Sequence, residues 1–156
     1  MATSDFGGQE LLRPWNAFCV EHRLHFLPVL LQDMIGYLGP FVIPGETACL
    51  ECLRTRQNAN LADSSERRIA EQAAFEGQKI AAVHPAMVTI LAETAAFELS
   101  RFYGGLPEWN VGKLIEVNLF ATTMSSRKVF KAPRCPVCSP LNQGIPVNLR
   151  KPTPIP

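Results

Sequence analysis

Pro44-Gly45-Glu46-Thr47-Ala48-Cys49-Leu50-Glu51-Cys52 is the stretch on which the reading of this sequence turns. It is answered far down the chain by Pro133-Arg134-Cys135-Pro136-Val137-Cys138. A Cys-x-x-Cys pair holds two thiolates on one tight knuckle, the geometry that one edge of a tetrahedral metal site needs. Pro44-Gly45 leads into the first pair, and Pro133, Pro136 and Pro140 stiffen the backbone around the second. A single pair is compatible with redox chemistry or with chance. Two pairs supply the four ligands of a closed structural site, so the expectation is zinc held by Cys49, Cys52, Cys135 and Cys138. The competing readings are two disulfides or four unliganded buried thiols. Between the pairs lies a segment rich in helix formers and far longer than the insert of a zinc ribbon or finger. The metal would therefore clamp two distant parts of one domain, and nothing here has the pattern of a nucleic-acid finger.

Working outward, the 156-residue chain is long enough to bury a core, and 47% hydrophobic with 19% charged residues is the balance of a compact soluble protein. A net charge of +1 gives the whole chain no footprint for nucleic acid or membrane. Basic residues do gather late, at Arg127, Lys128, Lys131, Arg134, Arg150 and Lys151. With no aromatic residues interleaved among the tail charges, they read as a solvated edge and tail. The longest apolar candidate, 26–43, is broken by Pro28, Asp33, Gly36, Gly39 and Pro40, so no membrane span is expected. The N-terminus lacks the basic-then-apolar order of a signal peptide, and the cytoplasm is the expected compartment. Cys19 sits in an apolar stretch and reads as a packing residue rather than a nucleophile.

Periodicity predicts a helix over 8–23 with Leu11, Leu12, Trp15, Phe18 and Cys19 on one face, started or kinked at Pro14. Residues 25–31 suit a buried strand, and 35–43 a second, Gly-interrupted one that leads into the first knuckle. A helix follows over 60–74, capped by Asp63 or Ser64. His84-Pro85 opens the clearest helix, broadly apolar through Val88, Leu91, Ala92, Ala95, Phe97, Leu99 and Phe102, which Gly104-Gly105 stops. So much apolar surface must be covered on more than one side. Leu114 to Thr122 alternates as a strand, with Leu114 and Glu116 on one side and Ile115 and Val117 on the other. Ser125-Ser126 is read as a turn, and 127–131 as the return strand that delivers the second knuckle. The Pro-rich end, 139–156, reads as an extended tail.

That order of elements, with these residues, resembles the C-terminal half of the ThiF/MoeB superfamily, the proteins related to ubiquitin-activating enzymes. Gly36-Tyr37-Leu38-Gly39-Pro40 through Cys49-Leu50-Glu51-Cys52 is similar to that family's G-x-x-G-x…P-G-x-T-x-C-x-x-C approach to its zinc. Ala132 to Cys138 is similar to its second knuckle, and Ala92, Ala95, Ala96 and Glu98 to its small-residue helix. Ala2-Thr3-Ser4-Asp5 resembles the end of the Rossmann strand where the family keeps an Asp near the metal and phosphates of ATP. Asp5 is thus the candidate cofactor-binding residue, and Asn16 falls where the next helix usually carries Asn. The fold the resemblance implies is α/β: an incomplete Rossmann-like ThiF-type unit over 1–138, with helices, a β-hairpin and a four-cysteine zinc site, and a tail over 139–156.

Two departures shape the functional expectation. The family's Gly-rich nucleotide fingerprint lies upstream of anything present, and neither Gly7-Gly8 nor Gly104-Gly105 replaces it. The chain is expected to begin inside the Rossmann unit and to be unable to cradle a triphosphate alone, so ATP and magnesium would need an N-terminal half. Residues 53–134 contain no cysteine, so the family's thioester or persulfide step has no nucleophile and no catalytic residue is assigned. A member of this kind resembles the ThiF-like partner of azoline-forming (TOMM) peptide maturation. There it escorts a ribosomal precursor of azole or bacteriocin type, and assembles with a YcaO-type cyclodehydratase that does the ATP-dependent chemistry. The expected role is a scaffold with structural zinc, not catalytic alone.

The alternatives are a fragment of an adenylyltransferase acting on a peptide or sulfur-carrier C-terminus, with Asp5 as a metal ligand, and a free-standing zinc-stabilised interaction domain. Self-association or a partner chain is expected, because the 87–102 helix and an open sheet edge call for cover. His22, His25 and His84 share no metal spacing, and His84 before Pro85 reads as a cap or packing residue. Asp33 and Glu46 read as turn residues. Arg54 and Arg56 read as solvated or paired with Glu51 or Glu46 rather than as receivers of an acidic peptide.

Overall fold

The computed structural model describes residues 1–4, 9–32, 34–61, 63–76, 84–106 and 110–142. Asp5, Asp33 and the tail from 143 onward lie outside the described residues. Strand β1 (Ala2–Ser4), helix α1 (Gln9–Glu21) and strand β2 (Pro28–Gln32) form a β-α-β unit, with Thr3 opposite Val29 in parallel register. The rest of the sheet is antiparallel: β3 (Ile35–Leu38), β4 (Lys113–Asn118) and β5 (Thr123–Lys128), in the order β1-β2-β3-β4-β5. Helices α2 (Leu50–Ala59), α3 (Ser64–Phe75) and α4 (Pro85–Tyr103) complete the described elements.

Strand β2 is buried from Pro28 to Leu31 because it has helices on both faces. Leu30 points into a core shared with Leu12 of α1 and with Leu50 and Leu53 of α2, whereas Val29 and Leu31 join Met87, Leu91 and Ala95 of α4 on the opposite side. Gly36 permits the second contact, since a Cβ there would fall 2.5 Å from the Leu91 side chain. Gly39, at φ +97°, turns the chain out of β3 against the Lys113 carbonyl, where no side chain fits.

Several expectations are corrected. Helix α1 runs through Pro14, so of the start or kink expected there the start is excluded. The ring removes one donor, toward the carbonyl of Glu10, in the first turns. Its apolar residues divide between two sides: Leu12 and Cys19 face inward with Asn16, while Leu11, Trp15 (58% exposed) and Phe18 face out. Where one helix from Asn60 was expected, two occur. α2 begins inside the first knuckle, and α3 is capped by Asp63, whose carboxylate accepts from the Ser65 N–H at 2.7 Å. The polar composition of α2, with Glu51, Arg54, Thr55, Arg56, Gln57 and Asn58, hides its one buried edge from a periodicity argument. The hairpin turns at 119–122, not at Ser125-Ser126. Asn118 Oδ1 accepts from the Ala121 N–H at 3.0 Å and Thr122 takes φ +51°, so Ser125 and Ser126 lie within β5. In α4 only Met87, Leu91 and Ala95 are fully buried, and Val88 and Phe97 remain exposed.

Candidate metal centre

The first knuckle is set by a turn and a helix start. Gly45, at φ +87°, lets the chain reverse, and Thr47 Oγ1 accepts from the Ile43 N–H at 2.8 Å while donating to the Phe41 carbonyl at 3.2 Å. Cys49 is the N-cap of α2 in extended conformation, which places Cys52 one turn inside the helix. A cysteine cannot satisfy the free amides of a helix start well. Asn16 does so from α1: its Oδ1 accepts from the Leu50 N–H at 3.0 Å, and the residue is only 1% exposed. The second knuckle is tied by Cys135 N–H to the Ala132 carbonyl at 3.0 Å and Ser139 N–H to the Cys135 carbonyl at 3.2 Å. Arg56 of α2 holds the approach to it, donating to the carbonyls of Phe130 (2.8 Å) and Lys131 (2.9 Å).

These two knuckles meet. The sulfurs of Cys49, Cys52, Cys135 and Cys138 all lie within 4.8 Å of one another, and among the described residues this is the group that could hold a metal ion. Individual separations are 3.8 Å for Cys49–Cys52, 3.6 Å for Cys49–Cys135 and 3.3 Å for Cys52–Cys138. Tetrahedral coordination with metal–sulfur bonds of about 2.3 Å sets sulfurs about 3.8 Å apart, so the donor set fits a closed tetrathiolate. All four thiols are free, which removes the disulfide reading. The Ala132 N–H points at Cys52 Sγ at 3.4 Å, a donor suited to a thiolate.

Sulfur–sulfur hydrogen bonds polarise the cluster. The bond with Cys135 draws the Cys52 thiol down and the bond with Cys138 lowers Cys135 to about 7, whereas bonds with Cys135 push Cys49 and Cys138 up. Burial pushes the Cys19 thiol up, in keeping with a packing role.

Around the centre the ion pairs differ from those expected. Glu51, inside the knuckle, pairs with Arg13 at 3.1 Å. Arg54 is buried and holds Glu71 at 3.0 Å and Glu10 at 3.2 Å, which braces α1, α2 and α3 together. Sequence reasoning missed this pairing because its partners lie on two other helices. Among the described residues, Arg54 Nη1 and Asn16 Nδ2 are buried donors without a partner. His84 caps α4 through Nδ1, which accepts from the Ala86 N–H at 3.2 Å. His22 stacks on Phe18, and His25 lies 3.2 Å from the Tyr103 hydroxyl. Beside the centre an open groove of about 470 Å³ runs between the sheet and α2, lined in part by Leu30, Tyr37, Leu53, Gln57 and Leu114.

No protein-family model matches the chain. The protein HesA of Leptolyngbya boryana is 28% identical over 134 residues, 86% of this chain and 41% of HesA, so the chain spans less than half of that relative's length. Among solved structures, the heterocyclase TruD superposes with a TM-score of 0.71 at 23% identity, over 88% of this chain and 21% of TruD. A structure of Escherichia coli MccB with ATP gives a TM-score of 0.65 at 21% identity, over 83% of this chain and 36% of MccB. At these identities the shared property is the fold, in this chain a mixed α/β unit with a five-stranded sheet. Among the described residues no helix is long and apolar enough to cross a membrane.

Proposed function

We propose that this chain is a zinc-stabilised ThiF-like scaffold that works in the maturation of ribosomally synthesised peptides and does not catalyse alone. The observation that carries the reading is the fold shared with the heterocyclase TruD over 88% of the chain. The cysteine inventory supports it: the chain's five cysteines are the four of the cluster and Cys19, so a thioester- or persulfide-forming residue is missing between the knuckles. Zinc is the metal assigned to Cys49, Cys52, Cys135 and Cys138, because a tetrathiolate at this spacing suits it and offers no open position for substrate. When bound it supplies folding energy, not chemistry. The described unit and the Pro-rich end, divided near 138, are assigned as body and tail. A cytoplasmic setting suits four reduced thiols.

Chemistry on this reading comes from a partner, a YcaO-type cyclodehydratase or a nucleotide-binding Rossmann half. The exposed Val88, Ile90 and Phe97 of α4 are surface that such a partner or a second copy would cover. The test is co-purification with a candidate precursor peptide and cyclodehydratase. Heterocycle formation that requires this chain supports the scaffold role, and formation at the same rate without it removes that role. The second reading, a portion of an ATP-dependent adenylyltransferase with Asp5 as a metal ligand, is favoured by the likeness to MccB in its ATP-bound form. Pyrophosphate exchange by the chain, abolished by Asp5→Ala, would select it.

A further inference from the structure

Strand β5 closes one side of the sheet. It pairs with β4 from Thr123 to Lys128, and among the described residues no strand lies beyond it, so its outward backbone groups are open to another strand. The charged residues on this edge strand itself are basic, with Glu116 one strand in, on β4 opposite Ser125. Arg127 and Lys128 are exposed on β5, Lys131 follows, and Arg56 reaches the same stretch from α2. Arg13, Arg54 and Arg101 each have a carboxylate partner, whereas these four cations form no ion pair among the described residues. Lys113 stands directly opposite Lys128 in the ladder, a like-charge pairing that sheets disfavour. Two apolar side chains accompany the charges. Met124 is exposed, and Phe130, 58% exposed, has the Arg56 guanidinium 5.9 Å and the Lys128 ammonium 5.7 Å from its ring centroid.

Cations on an edge strand keep a second, equally basic edge away. The same field attracts an acidic strand. We infer that β5 is the docking edge for an extended acidic peptide segment that adds to the sheet as a further strand. Its backbone meets the open edge, its carboxylates meet Arg127, Lys128 and Lys131, and its apolar side chains rest on Met124 and Phe130. Nucleic acid is the other polymer that cations attract. It has no use for an open backbone ladder, and Phe130 is the lone aromatic platform among these residues, already flanked by cations. The inference rests on the strand edge and its charges, and it does not depend on the peptide-maturation reading above.

Fluorescence anisotropy on the intact, metal-loaded chain tests it with four labelled probes. They are a short peptide alternating Glu and Val, its Lys-Val counterpart, the Glu-Val peptide with alternate backbone nitrogens methylated, and a single-stranded RNA of matching charge. The Glu-Val peptide should bind and the Lys-Val peptide should not. Backbone methylation should weaken binding about tenfold or more, since it removes strand hydrogen bonds while keeping every charge. The Arg127→Glu, Lys128→Glu double variant, with fold and metal content verified by circular dichroism and elemental analysis, should lose the acidic probe and gain the basic one. A methylated peptide or RNA that binds as well as the parent peptide would overturn the inference, as would absent binding or indifference to charge reversal.

Discussion

On one face of the sheet the core around Leu12, Leu30 and Leu53 continues into four sulfurs, a buried asparagine cap and the Arg54–Glu71 pair. On the other face Met87, Leu91 and Ala95 press on Val29, Leu31 and Ile115 with apolar atoms alone. The difference lies in what each layer demands. The α4 face needs shape and burial, and a single glycine at 36 sets how closely the helix seats. The cysteine face joins segments that are far apart in sequence, Cys49 and Cys52 with Cys135 and Cys138, through polar and ionisable groups. Such groups are costly to bury unless each has its partner. One layer therefore answers to volume and shape, and the other to the loss of paired groups, most of all the four sulfurs.

The sharpest way to break this contrast is to remove the metal. Cys52→Ser should release it and lose stability on the order of 10 kcal/mol, the scale of zinc-driven folding in thiolate peptides. Elemental analysis beside thermal melting checks this, and full stability in a metal-free protein would show that the clamp is dispensable. Next in size is Arg54→Ala. It removes the Arg54 cation from the nearly buried Glu71 and should cost about 3–5 kcal/mol, while the sulfurs keep their metal. Denaturant unfolding with metal quantification separates the two effects.

On the opposite face, Leu91→Ala should cost about 2–5 kcal/mol, with metal content and the cysteine layer unchanged. Gly36→Ala drives a methyl into Leu91 and should cost about 1–3 kcal/mol. The double variant should then cost less than the sum of the two, because the truncated side chain makes room for the new methyl. Additive losses would mean that Gly36 matters for its backbone rather than for α4. The smallest expected effect is Asn16→Ala, about 1 kcal/mol from loss of the cap on the Leu50 amide. It should also slow metal loading, since the cap orients the first knuckle. Stopped-flow metal uptake at the wild-type rate would confine Asn16 to stability.

Much of this was legible in residues. The two Cys-x-x-Cys pairs pointed to one four-sulfur centre, and His84-Pro85 marked the start of α4 with His84 as its cap. Alternation over Leu114–Asn118 placed Ile115 and Val117 on one side and Leu114 on the other, as the two cores have them. Other elements escaped. α2 carries its signal in cysteines and in contacts with α1, not in apolar spacing. The apolar residues of α1 counted as one face became two, because the chain buries Asn16 between Leu12 and Cys19 instead of Trp15. The hairpin turn moved because an Asn side chain bonding its own backbone outweighed a Ser-Ser pair.

By itself, then, the sequence determined which groups are the candidates for the site. The four candidate cysteines, the pairing of near neighbours within each knuckle and the caps at Asp63 and His84 are local matters, settled within a few residues of chain. Only the tertiary structure decided that the knuckles meet, that Asn16 caps α2, that Arg54 belongs to Glu10 and Glu71, and that Arg56 reaches the segment that follows Arg127 and Lys128 of β5. Each of those depends on contacts between residues far apart in sequence. Such contacts arise when the sheet and helices pack to bury their apolar faces, and no local pattern encodes the partner at the other end.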